Sequence, residues 1–174
     1  MRVILYNNTI KKETMKKILT AAIAVLALFG AMAPQKANAA GGEMAIGLNG
    51  GFATYNDGGY MSLYYQYEFA THFRIAPEIG YVFRNDGLSA FTMNVDMQFP
   101  FRLHKVVAVY PFAGLTFNNW MWHDDGNAAR VGGNFGAGFD FYLTNYLKLS
   151  VQGKYSVMND TSGGFFGVGI GYVF

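Results

Sequence analysis

Gly164-Phe165-Phe166-Gly167-Val168-Gly169-Ile170-Gly171-Tyr172-Val173-Phe174 decides the fold. Side chains alternate sides along an extended strand. Phe166, Val168, Ile170, Tyr172 and Phe174 share one face, while Gly167, Gly169, Gly171 and Val173 share the other. One face is therefore continuously apolar and bulky, and the other is nearly bare. A strand with one face in water carries polar groups on that face. Bulky apolar groups outward, with small or polar groups inward, suit a strand that closes a barrel in a lipid bilayer. The competing reading is a core strand of a soluble β-sandwich.

Composition agrees with the bilayer. Charged residues make up 14% of the chain, against roughly 25% in ordinary globular domains. Aromatics reach 17%, and there are 22 glycines. No later segment is a long unbroken apolar run, so helical spanning is not how the apolar surface is used. The absence of cysteine removes disulfides, thiolate metal sites and a lipidated cysteine anchor.

The start reads differently. Met15-Lys16-Lys17 precedes the apolar run Ile18 to Gly30, and Ala31 to Ala39 ends in Ala37-Asn38-Ala39. A basic start, an apolar middle and a small-x-small end are the parts of a cleavable signal peptide. Residues 15–39 are read as that peptide, with Ala40 the first mature residue. Residues 1–14 are read as an upstream extension outside the fold, and 40–174 as the barrel. Residues 1–39 hold six of the 13 Lys and Arg and one of the 11 Asp and Glu, so the remainder carries a net charge of −3. The basic leader accounts for the overall +2, and no basic patch remains to bind nucleic acid.

About 135 residues remain, enough for eight membrane strands of roughly 9–11 residues with short connections. The alternation predicts strands at Glu43–Tyr55, Tyr60–Phe69, Phe73–Phe83, Ser89–Phe101, Val106–Phe117, Val131–Leu143, Tyr146–Val157 and the closing stretch. The cleanest is the fourth, with Phe91, Met93, Val95, Met97 and Phe99 against Thr92, Asn94, Asp96 and Gln98. The fifth is apolar on both faces; Val107, Val109, Leu115 and Phe117 are assigned outward. Pro77 in the third must lose a ladder bond or sit at a bulge. The fold class is thus all-β, an eight-stranded antiparallel up-and-down barrel. An even strand count puts both mature termini on the periplasmic side, with turns at 70–72, 102–105 and 144–145. Connections at 56–59, 84–88, 118–130 and 158–163 then face outward. Two aromatic girdles are expected, an inner one of Tyr67, Phe69, Phe73, Phe99, Phe101, Phe141 and Phe174, and an outer one of Tyr55, Phe83, Phe91, Phe117, Phe165 and Phe166.

The inward positions define a candidate lumen network of Glu68, Arg74, Glu78, Asp96, Asn134, Asp140, Lys148 and Lys154. Confined charges must be paired or hydrated. A turn centred on Thr71 sets Glu68 opposite Arg74. One centred on Thr144 sets Asp140 opposite Lys148 and Asn134 opposite Lys154. Inward glycines leave room for Tyr64 and Tyr142. Eight-stranded interiors are narrow, which favours a polar plug over a gated ion path.

With leader, strand count and alternation in place, the chain resembles the small eight-stranded outer-membrane barrels of Gram-negative bacteria, the OmpA/OmpX-type class. Gly169, Tyr172 and Phe174 resemble that class's carboxy-terminal assembly signal, although Gly167 stands where a polar residue is usual. The resemblance implies an outer-membrane location, lipid and lipopolysaccharide neighbours, and folding by the barrel-assembly machinery through the last strand. A monomer is expected, acting in envelope integrity or surface interaction, with no cell-wall-binding domain after the barrel. Lipid A acylases and deacylases of this shape use His, Ser and an acid near the outer rim. His72 and His104 fall at the opposite end, and no serine shares a strand face with His123. The reading is therefore a non-enzymatic barrel without cofactor or metal; a lipid A-modifying enzyme and a narrow ion pore are the alternatives. Trp120, Trp122, His123, Asp124 and Asp125, in the longest connection, are the outer-loop interaction candidates, the tryptophans read first as interfacial anchors. No calcium-loop spacing accompanies these acids.

Overall fold

Alternation is kept along almost every strand, and it produces a closed sheet. The computed structural model describes residues 42–122, 126–159 and 161–174. It contains β1 (Met44–Ala53), β2 (Gly58–Ala70), β3 (Phe73–Asn85), β4 (Leu88–Gln98), β5 (Phe101–His104), β6 (Val107–Trp122), β7 (Gly126–Tyr142), β8 (Leu147–Met158) and β9 (Gly163–Val173). Every strand pairs antiparallel with its sequence neighbour except β4 and β5, which do not pair with each other. β1 pairs with β9, and β4 pairs with β6, which closes the sheet. No helix occurs among the described residues.

β4 and β5 are two halves of one stave. The register Gln98↔Phe112 continues as Phe101↔Val109 without slip, and the Phe99 amide still donates to Pro111 O at 2.9 Å. Pro100 has no N–H to give to the ladder, so pairing lapses there and resumes. The barrel therefore has eight staves among the described residues. Pro77 behaves similarly. The β2–β3 ladder runs from Tyr60↔Val82 to Tyr64↔Glu78, skips Ala76 and Pro77, and resumes in the same register at Tyr67↔Ile75. The proline costs ladder pairing and creates no bulge.

The faces are inverted relative to a soluble protein. Ile46, Leu48, Met61, Tyr81, Leu115, Phe135, Val168 and Ile170 are exposed, whereas Arg74 is 1% and Asp140 and Lys148 are 0% exposed. Val107, Val109, Leu115 and Phe117 alternate with buried Ala108, Tyr110, Phe112 and Thr116, so β6 faces as expected. Met44 departs from the pattern, being buried on the outward parity. Around the end that holds Gly42 and Phe174, the proximal end, outward aromatics pack as Phe69–Phe73, Phe73–Phe99, Phe139–Phe141 and Tyr172–Phe174. Phe69, Phe73, Phe99, Phe141 and Phe174 belong to one of the two expected girdles; Phe139 and Tyr172 were not in it.

Several connections differ from expectation. The 102–105 turn shrinks to Lys105–Val106, because Phe101–His104 is strand. The 144–145 turn widens to Leu143–Tyr146, where the Leu143 amide donates to Leu147 O and the Tyr146 amide to Thr144 Oγ1. This moves the β7–β8 register by two residues: Asp140 faces Ser150, Asn134 faces Ser156, and Lys148 and Lys154 face Tyr142 and Gly136. A two-residue shift keeps every side chain on its face. At the distal end, the expected 84–88 loop is a two-residue turn at Asp86-Gly87, both at positive φ, as a type I′ hairpin requires. The expected 118–130 loop is instead ladder: Asn118↔Arg130 through Trp122↔Gly126 are paired. Only 123–125 connect the two strands, so the greater length on the distal side lies in β6 and β7.

Val95 lies mid-stave on the outer face between Pro77 and Leu115 and is 49% exposed. Val95→Arg would set a charge at lipid depth and is expected to destabilise the barrel by about 2–4 kcal/mol. Urea unfolding in lipid vesicles checks this; an unchanged midpoint would mean that this face does not meet hydrocarbon.

Candidate functional site: the charged interior

All eight predicted network residues point inward and are buried. Inward parity on β2, β3, β4, β7 and β8 carries them there, and the narrow bore brings distant staves within hydrogen-bond reach. They form layers along the barrel axis.

At the proximal mouth, Glu43 accepts from Arg102 Nη2 at 2.6 Å and from the Tyr142 hydroxyl at 2.8 Å, with Lys148 Nζ 3.5 Å away. The Arg102 guanidinium also lies over the Tyr142 ring, 5.3 Å from its centroid. One layer deeper, Arg74 Nη1 donates to Asp140 Oδ2 at 2.8 Å, and Arg74 Nε to Gln98 Oε1 at 2.7 Å. Asp140 also accepts from Lys148 at 3.3 Å and Ser150 at 2.6 Å. Glu68 does sit opposite Arg74 in the ladder, but the guanidinium reaches across the lumen to β7. Desolvation rewards the partner that satisfies most donors, and Asp140 with Gln98 engages two.

The central layer pairs Glu78 with Lys154 at 2.7 Å, and Asn94 and Asn49 also donate to Glu78. Asn134 links this layer outward. Its Nδ2 lies 3.0 Å from Asp96 Oδ1 and 3.2 Å from Asn94 Oδ1, and Ser156 donates to its Oδ1 at 2.8 Å. Glycines make this density possible. A Cβ on Gly138 would collide with the Tyr110 ring, and one on Gly171 with the Tyr64 hydroxyl.

Toward the distal end the polar network meets an aromatic cluster. Lys154 Nζ lies 5.6 Å from the Phe165 ring centroid. Tyr55 and Tyr60 pack on Phe165 at 5.0 and 5.2 Å, and Tyr55 packs on Trp120 at 4.8 Å. Ala53, Val82, Ala90 and Met158 complete the cluster. Trp120 is 0% exposed, so it is neither an interfacial anchor nor a surface contact. Phe165 and Tyr55 likewise leave the predicted outer girdle for the interior. Trp122 is half-buried at the last β4–β6 pair. His123, Asp124 and Asp125 lie outside the described residues, as do the signal-peptide region 15–39 and the extension 1–14. Gly169 and Tyr172 lie in β9; Tyr172 and Phe174 face outward, and the Phe174 amide donates to Met44 O at 3.0 Å.

Among the described residues, no group of His, Cys, Asp and Glu is arranged to hold a metal ion. His72 hydrogen-bonds Pro100 O at the proximal turn and stacks on Phe101. Glu43, Arg102, Tyr142 and the aromatic cluster were not in the predicted network. Parity alone finds Trp120, which continues the inward series Tyr110, Phe112, Thr116 and Asn118 beyond the expected strand end at Phe117.

A closed antiparallel sheet with apolar side chains outside and ion pairs inside defines a small outer-membrane β-barrel. The outer membrane protein beta-barrel domain family matches residues 21–174, and the chain belongs to that family. The N-terminal β-barrel domain of Pseudomonas aeruginosa OprF superposes with a TM-score of 0.68 at 18% identity, covering 78% of this chain and 100% of that one. Neisserial surface protein A superposes at 0.65 with 15% identity, covering 79% and 100%. Ail, the attachment invasion locus protein of Yersinia pestis, superposes at 0.55 with 19% identity, covering 77% and 99%. At these identities the likeness is one of fold. No curated protein matches the sequence.

Glu43 precedes β1, and its acidity reports on the proximal mouth. Burial pushes its carboxyl up, but Lys148, Tyr142 and Arg102 together outweigh that and hold it below the usual carboxylate range. A lowered folded-state value means that its stabilisation is present above the unfolded-chain value of about 4.3 and is lost as pH falls through the folded value. Glu43→Gln should cost about 1–2 kcal/mol at pH 7 and nothing once the wild-type carboxyl is protonated. Urea midpoints of the two proteins in micelles, compared from pH 7 downward, should draw together as the carboxyl takes up its proton.

Proposed function

We propose that the protein is a closed, non-enzymatic barrel of the outer membrane that serves envelope integrity or contacts at the cell surface. The observation that carries this reading is the continuous filling of the interior. Ion pairs span from Glu43 to Lys154, and beyond them Tyr60, Phe165, Tyr55 and Trp120 pack across the distal mouth. The polar cavity between Asn49, Gln66, Glu78 and Asp96 measures about 10 Å³, near the space of one water. An ion path would need both the layered pairs and the aromatic cluster to part.

In this reading residues 15–39 direct export and are removed after Ala39, and the barrel spans residues 40–174. Both mature termini lie in the periplasm. The last strand, with Gly169, Tyr172 and Phe174, is the segment offered to the assembly machinery. The outward apolar face meets lipid and lipopolysaccharide, and the barrel is a monomer. The β6–β7 hairpin then faces outward. It extends past the last β7–β8 pair, Gly132↔Met158, and is the surface most available to a partner.

Planar-bilayer recording separates the closed barrel from the pore. The wild type should give no stepwise conductance; discrete steps would establish a channel. Lipid A from cells expressing the protein should keep its acyl pattern. An altered pattern that His123→Ala restores would establish the enzyme instead.

A further inference from the structure

The pairing that closes the sheet is nearly bare on its inner side. Between Gly47 and Gly51 of β1, and between Gly167 and Gly171 of β9, Asn49 is the single inward residue with a side chain. Outside, the same stretch is dressed by Leu48, Val168 and Ile170. No turn joins β1 to β9, whereas the other neighbouring staves are connected by hairpins. The closing seam therefore has neither a connecting turn nor, on the lumen side, much side-chain packing of its own.

β2 supplies that packing. Tyr64 faces Gly47, which faces Gly171; Tyr60 faces Gly51, which faces Gly167. Each row thus sets a tyrosine beside two glycines in succession. A Cβ on Gly47 would collide with Tyr64 Cζ and Oη, and one on Gly171 with the same Oη. A Cβ on Gly167 would collide with the Tyr60 hydroxyl. Neighbouring strands stand about 4.8 Å apart, so both rings lie across β1 and end on β9. Tyr110 on Gly138 is a different case, because it stays within one pair of strands. Tyr60 and Tyr64 are 5% and 4% exposed, and the Tyr64 hydroxyl has no hydrogen-bond partner among the described residues. Ring packing, and not a polar bond, holds Tyr64 in place.

We infer that Tyr60 and Tyr64 latch the β1–β9 seam from inside. Each ring rests on both strands only while the seam is shut, so parting it uncovers two buried aromatic faces. The latch also guards the charges behind it. Lys148 stands in the row of Gly171, and its partner Asp140 lies in the same layer. A parted seam would bring hydrocarbon to that ion pair at a large desolvation cost.

Hydrogen exchange of the folded protein in micelles, read residue by residue, tests the latch. Met44 and Phe174 exchange backbone hydrogen bonds across the seam. The alternation of an antiparallel ladder gives the same role to Leu48 and Ile170. Their amides report on the seam, and those of Phe139 and Val151 report on the β7–β8 pairing. In the double variant Tyr60→Ala with Tyr64→Ala, the seam amides should exchange several-fold faster and the β7–β8 amides at their former rate, as local opening requires. Equal acceleration at both places would mean a general loss of stability and would overturn the latch. So would an unchanged seam. Should the double variant fail to fold, Gly171→Ala decides it. The added methyl displaces the Tyr64 hydroxyl and should speed exchange at the seam alone. Adding Tyr64→Phe, which removes that hydroxyl and keeps the ring, should restore protection. A seam that Tyr64→Phe does not restore, or that Gly171→Ala leaves protected, would overturn the inference.

Discussion

Hydrocarbon offers a peptide group no hydrogen-bond partner, and the architecture follows from that restriction. A sheet in lipid must have no edge. The β1–β9 pairing, from Ala45↔Val173 to Ala53↔Phe165, meets this requirement by joining the first strand to the last. The three places where proline removes an N–H, Pro77, Pro100 and Pro111, keep the register on either side, so any lapse stays local. With the backbone satisfied by closure, side chains are free to sort by solvent, and they sort in the reverse of a soluble protein.

The interior then faces its own difficulty. Charges taken from water lose solvation that one partner seldom restores. The layers meet this by giving two of the buried acids several donors. Asp140 receives Arg74, Lys148 and Ser150, and Glu78 receives Lys154, Asn94 and Asn49. Glycines on the inward face let rings and head groups lie against bare backbone. The aromatic cluster at the distal mouth needs no such pairing, and Phe165 joins the two regimes through its contact with Lys154.

The sequence revealed facing far better than pairing. Period-two alternation is a property of each strand alone, so Val95 against Asp96 or Ile170 against Gly169 could be read residue by residue. Which acid meets which base depends on turn geometry and on reach across the bore. Glu68 opposite Arg74 was legible, but the choice of Asp140 over Glu68 was not, because it compares partners on β2 and β7. The Asp140 register missed by two, since Thr144 draws in the Tyr146 amide and widens the turn. Trp120 was misread for a different reason: it fell in the stretch 118–130 expected to connect two strands, and only the facing strand shows that the ladder continues there.

The bonds that cross the bore join residues far apart along the chain. Glu43 meets Tyr142 across 99 positions, and Lys154 meets Glu78 across 76. Such contacts close long loops, which is entropically costly and slow. They also arrive late, because a half-built sheet has no opposite wall. An open intermediate would hold Glu78 without Lys154 and Asp140 without Arg74 while lipid presses on the other face. Insertion stave by stave into hydrocarbon is therefore opposed by the same charges that lock the finished barrel, and the chain favours curling up before it goes in.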